Sequence, residues 1–126
     1  DHTYGNTSGY YVTTRVPFLS TLTNDLDIAA LVSPRLPDNQ AGLMCVDWWY
    51  MMHSTDETEL NVYLISNENY TSPKAVWRRY GDQGRHWQHG QLQINPSMNI
   101  TRVIYESVGL FGVRTETSLD DLALID

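Results

Sequence analysis

Four histidines, one cysteine and fifteen acidic residues are the groups in these 126 residues that could do chemistry. His86 and His89 stand three apart. On a helix that spacing puts both imidazoles on one face, where they could share a metal ion; on a strand it sends them to opposite faces. There is no His-Glu-x-x-His pair, no Gly-x-Ser-x-Gly nucleophile elbow and no glycine-rich loop to cradle a phosphate. Cys45 opens the run Cys45-Val46-Asp47-Trp48-Trp49-Tyr50, an apolar aromatic setting that disfavours a thiolate. The sequence thus assembles no catalytic constellation. We read the chain as a non-enzyme that needs no catalytic cofactor. The odd cysteine is either a small buried hydrophobe or half of a disulfide whose partner lies outside this stretch.

Charge narrows the partners. Eight basic against fifteen acidic residues leave a net charge of -7, and nucleic acid phosphates would repel such a chain. Lys74, Arg78, Arg79, Arg85 and His86 nevertheless form a basic island. It reads either as solvated strand flanks or as an attraction for an acidic partner surface or a sulfated glycan. Asn6, Asn69 and Asn99 lie in N-x-[ST] sequons, more than the roughly one expected by chance, which leans towards secretion and N-glycans. No apolar stretch approaches the roughly 20 residues of a membrane helix. The start at Asp1, with no signal-like or lipidation pattern, reads as a processed product or a piece of a larger chain.

The elements that must position these groups are strands. Helical periodicity is close to absent, whereas period-two alternation recurs. Val46, Trp48, Tyr50 and Met52 share one face of a strand and Cys45, Asp47, Trp49 and Met51 the other, so this strand should be central. Leu60, Val62 and Leu64 alternate with Asn61 and Tyr63. Leu92 and Ile94 alternate with glutamines, and Val103 and Tyr105 with Arg102, Ile104 and Glu106. Leu122 and Leu124 close the series behind Asp120-Asp121 at a strand start, and Trp48, Tyr50, Leu60, Val62, Leu64, Leu92, Ile94, Val103, Tyr105, Leu122 and Leu124 are expected to point inward. Prolines at 34, 37, 73 and 96 mark strand ends. Between Trp77 and Trp87, Gly81-Asp82-Gln83-Gly84 suits a tight reversal, because glycine reaches φ > 0 without cost; a hairpin is expected there. Both tryptophans are expected in the core, a sugar-stacking platform being the alternative. Tyr10, Tyr11, Tyr63 and Tyr70 serve equally as strand packing or as interface residues. About eight short strands with polar turns indicate an all-β antiparallel sandwich in one domain, residues 1–126.

The residues Trp77, Gly81, Gln83, Gly84 and Trp87 resemble the Trp…Gly-x-Gln-Gly…Trp pattern of the MAM domain, the family named for meprin, the A5 antigen and receptor phosphatase mu. Asp1-His2-Thr3 with Gly9-Tyr10-Tyr11, Ala29-x-Leu31-x-Ser33-Pro34, the aromatic strand from Cys45, Tyr105-Glu106 and Leu119-Asp120-Asp121-Leu122 are similar to further family motifs in order. Where the family has Arg-Gly-Asp-Ile-Ala, this chain has Arg114-Thr115-Glu116-Thr117-Ser118. The resemblance implies a jelly-roll β-sandwich acting as an extracellular, non-catalytic module for protein–protein adhesion or assembly, with other proteins or other copies as partners. A carbohydrate-binding module is one rival reading; a structural or accessory domain of a secreted polymer or ectoenzyme is another. It also implies a further strand before Asp1, a disulfide from Cys45 to a cysteine beyond Asp126, and a structural Ca²⁺ held by Asp1 and Asp120 with Asp121 in reserve. Without that first strand, an unpaired sheet edge should make the chain self-associate.

Overall fold

The computed structural model describes residues 2–3, 9–16, 26–37, 42–54, 58–66, 74–110 and 115–125. Eight strands appear among them: β1 (Val12–Val16), β2 (Leu26–Val32), β3 (Met44–Ser54), β4 (Thr58–Ser66), β5 (Trp77–Tyr80), β6 (Gln88–Ile94), β7 (Ile100–Leu110) and β8 (Thr115–Ile125). A single 3-10 turn, Pro96–Met98, separates β6 from β7, and the Asn95 side chain caps it by accepting from the Ser97 N–H at 3.1 Å. The strands form two four-stranded antiparallel sheets. The front sheet runs β1-β8-β3-β6 and the back sheet β2-β7-β4-β5. As expected, β3 is an inner strand.

Alternation sorts the side chains between the layers. Along β3 the pattern is strictly buried, half-buried, buried, with Val46, Trp48, Tyr50 and Met52 inward. Leu60, Val62, Ile94, Val103 and Tyr105 meet them from the other strands, and Leu64, Leu92 and Leu124 pack at the margin. Trp48 is wholly buried, and the edges of Trp77 and Tyr105 meet it at centroid distances of 5.2 and 5.5 Å. Full burial of such side chains contributes roughly 1.5–3 kcal/mol each. Tyr50 keeps its polar tip satisfied by donating to Gln88 Oε1 at 3.0 Å.

Three sequence expectations are corrected here. First, Trp77 and Trp87 do not flank a hairpin. Strand β5 pairs with β4 in the back sheet and β6 with β3 in the front sheet, so residues 81–87 arch from one layer to the other. Gly81 and Gly84 do take positive φ, 72° and 86°, and Asp82 accepts from the Gly84 N–H at 3.1 Å. The turn chemistry is that of a reversal, but seven residues reach across the sandwich. Second, Asp120 and Asp121 sit inside β8, not at its start. Asp47 pairs with Ala123 and Trp49 with Asp120, leaving two β8 residues opposite Trp48, a β-bulge with Asp121 at φ 50°. Third, Leu122 belongs to that bulge and is 41% exposed, whereas Leu124 packs on the core. The stretch Thr115–Ser118 is strand, paired with both β1 and β3. The proline at 73 and Tyr70 lie outside the described residues.

Candidate interaction surface

On the flank where β1 and β2 end their sheets, the two layers leave an apolar recess of about 420 Å³. Its floor is Val46, Val103 and Tyr105. Leu31 and Leu36 form one wall, and Leu122 and Leu124 the other. Leu31 is placed by its pairing with Tyr105. Beyond β2 the chain stays alongside β7, because the Ser33 and Leu36 N–H groups donate to Val103 and Thr101 carbonyls at 2.9 and 2.7 Å. Arg102 reinforces this by donating to the Ser33 carbonyl at 2.8 Å. A smaller recess of about 110 Å³ between Val12, Ala29, Leu60 and Leu119 shares Leu31 and Tyr105 with the first. Of the residues lining them, Val12, Val32 and Leu122 are exposed. An apolar recess beside two strand edges is the physical mark of a docking face. Sequence reasoning missed it: Leu31, Val46 and Leu124 look like any other core residue, and only strand order decides which flank stays open.

The bulge of β8 gathers several singled-out residues. The His2 N–H donates to Asp120 Oδ2 at 2.7 Å, and the Asp121 N–H to Asp120 Oδ1 at 2.8 Å. Asp121 takes the Thr3 hydroxyl and, at 2.6 Å, the His2 ring. The His2 imidazole stacks on Trp49 at 3.7 Å, and His89 stacks on Trp49 too, at 4.8 Å, while bonding Asp47. Trp87 lies edge-on to His2 and Tyr11. It is therefore half-buried on the outside of the front sheet, away from Trp77, and the pair forms no common platform. The four carboxylate oxygens of Asp120 and Asp121 accept bonds from His2, Thr3 and the backbone. Asp1 lies outside the described residues, which hold no group of three His, Cys, Asp or Glu able to bind a metal.

Thr3 and then His2 hold the Asp121 carboxyl below its ordinary value. A depressed folded-state value means this latch stabilises the fold above the ordinary carboxylate range and fades as pH falls through the lowered value. Melting temperatures of wild type and Asp121→Asn should therefore differ at pH 7 and converge below about pH 4. A constant difference across the acid limb would show that the carboxylate charge is irrelevant.

The outer face of the back sheet carries an ordered polar network. Glu106 Oε1 accepts from the Tyr63 hydroxyl at 2.9 Å and from Asn61 at 3.1 Å. Asn61 in turn accepts from Arg78 Nε at 2.8 Å, and Arg78 donates to the Tyr80 hydroxyl at 2.9 Å. Burial first, and Glu106 second, hold the Tyr63 proton more tightly than usual. The basic island thus divides: Arg78 joins this network and Arg79 stacks over Trp77 at 4.4 Å. Lys74, Arg85 and His86 are exposed. Cys45 has no cysteine partner within residues 1–126 and is half-buried on the outer face of β3 opposite Ile125. Of the sequons, Asn99 is described and exposed; Asn6 and Asn69 lie outside the described residues.

Comparison with known proteins follows the same lines. The family profile described as MAM domain, meprin/A5/mu, matches residues 1–126. The MAM domain-containing glycosylphosphatidylinositol anchor protein 1 of Rattus norvegicus is 33% identical over 98 residues, 78% of this chain and 10% of that protein. Neuropilin-1a of Danio rerio is 29% identical over 127 residues, covering 100% of this chain and 13% of the relative. The chain thus spans about a tenth of the length of such relatives. Among solved structures, TmCBM61 in complex with β-1,4-galactotriose superimposes with a TM-score of 0.60 at 14% identity, covering 92% of this chain and 70% of that one. At that identity the likeness is one of fold.

Proposed function

This chain belongs to the MAM domain family, and we propose that it is a non-catalytic extracellular module that docks on other proteins, or on another copy of itself, through the flank between β1 and β2. The observation that supports this reading is the open apolar recess beside two strand edges, on a sandwich whose opposite flank is closed by the 81–87 arch. The scaffold holds the face still and contributes no reacting group. Exposed residues there can be changed without emptying the core, which makes the reading testable. In analytical ultracentrifugation the domain should self-associate, and Leu122→Asp with Val32→Asp should weaken that association at least about tenfold while leaving the melting temperature near wild type. A monodisperse wild-type monomer, indifferent to both changes in assays against candidate extracellular proteins, would overturn it.

The outer face of the back sheet supports the carbohydrate rival, because exposed Tyr80 and the Tyr63–Glu106–Asn61–Arg78 network offer a ring and fixed polar groups side by side. Saturable binding on a glycan array, lost in Tyr80→Ala, would favour it. Calcium enters the proposal only as a structural clamp, for which the hydrogen bonds at Asp120 and Asp121 would have to give way to the ion.

A further inference from the structure

We propose that Asn99 carries an N-linked glycan and that the glycan is attached before β7 closes on β4. The inference rests on the extracellular reading, since only a secretory chain meets the lipid-linked oligosaccharide that donates the sugar. Asn99 ends the Pro96–Met98 turn at φ 52°, ψ 44°, a left-handed position, and its N–H donates to the Pro96 carbonyl at 3.2 Å. Its backbone is therefore held by the turn while the side chain is exposed, flanked by exposed Ser97 and Met98.

Thr101 is placed quite differently. The sequon needs a hydroxyl two residues after the asparagine, so the transferase must reach that hydroxyl as well as the amide. Here it is buried: Thr101 is 8% exposed and its hydroxyl donates to the Ile65 carbonyl of β4 at 3.1 Å. The Thr101 carbonyl also accepts from the Leu36 N–H at 2.7 Å. A folded domain offers the amide and hides the hydroxyl. In the transfer itself, Asn99 Nδ2 bonds to the anomeric carbon of the lipid-pyrophosphate oligosaccharide. The lipid pyrophosphate leaves, and an amide proton passes to a base of the transferase. The chain can present both groups only while β7 is detached from β4. Once β7 docks, the buried Thr101 bond forms and the glycan stands at the end of the sandwich where Leu36 meets Thr101, beside the recess.

Two measurements test this on the whole chain. Expressed behind a secretory signal in eukaryotic cells, the protein is treated with peptide N-glycosidase in heavy-oxygen water. Trypsin then releases the peptide spanning residues 86–102. Conversion of Asn99 to heavy-oxygen-labelled aspartate is expected, and a peptide left mostly as unlabelled asparagine overturns the site. Because the signal is supplied, that failure would leave the docking reading untouched. Separately, unmodified bacterial protein is offered to purified oligosaccharyltransferase with lipid-linked oligosaccharide, folded or unfolded in mild denaturant. The unfolded chain should be modified at least about tenfold faster, since the folded one reacts only through local opening. Equal rates would overturn the timing.

Discussion

Gly90→Ala is expected to destabilise the domain by about 3 kcal/mol, near the upper end of what overpacking a core normally causes. Gly90 sits in β6 directly opposite Trp48 and is buried. A Cβ built there would lie 2.2, 2.3 and 2.6 Å from Trp48 Cε2, Nε1 and Cζ2. Carbon atoms pack at about 3.5–4.0 Å, so the overlap exceeds an ångström. The indole cannot slide away, because Trp77 and Tyr105 hold its other sides. Alanine's advantage over glycine in an extended strand, roughly 0.5–1 kcal/mol, is too small to offset that clash. A fall in melting temperature of roughly 10 °C is the readout. A change below about 0.5 kcal/mol, the scale of ordinary surface substitutions, would show that the tryptophan has room the structure denies it.

Trp48→Ala should have the larger effect, about 4 kcal/mol in urea denaturation, since it removes a wholly buried ring and leaves a void between the layers. The informative experiment is the double substitution. With the indole gone, Gly90→Ala has nothing to strike and should become neutral or slightly stabilising. The coupling between the two positions is then about 3 kcal/mol, far outside the additivity of independent sites. Simple additivity would mean that the Gly90 effect comes from the β6 backbone and not from the ring. The same logic explains why glycine follows His89 in this strand: the tryptophan face occupies the space a side chain would fill.

Much of this was legible in the chain. Alternation named Trp48, Tyr50, Leu60, Val62, Ile94, Val103 and Tyr105 as inward, and all of them are buried. The ordered motifs from Asp1 to Leu122 pointed to the family that the profile match establishes. Pleated backbone explains the first success, because side chains two apart must share a face whatever the strand pairs with. Leu122 failed for a reason equally local in form but not in cause. The bulge at Asp121 appears only when β8 is laid against β3, since neither strand alone reveals two residues facing one.

The arch between Trp77 and Trp87 shows the same boundary. Gly81 and Gly84 specify a turn through positive φ, yet a turn does not say which sheet receives the next strand. Among the described strands β4 and β5 are consecutive partners, while every other pairing joins strands distant in sequence. From residue types and spacing alone came the strand class and the sorting of faces, and the ordered motifs carried the resemblance to the family. Strand order, the open flank at Leu31 and Leu122, the His2 latch on Trp49 and the concealment of the Thr101 hydroxyl were settled only by the assembled sandwich. Each depends on contacts between distant segments, and no local pattern encodes which segment arrives.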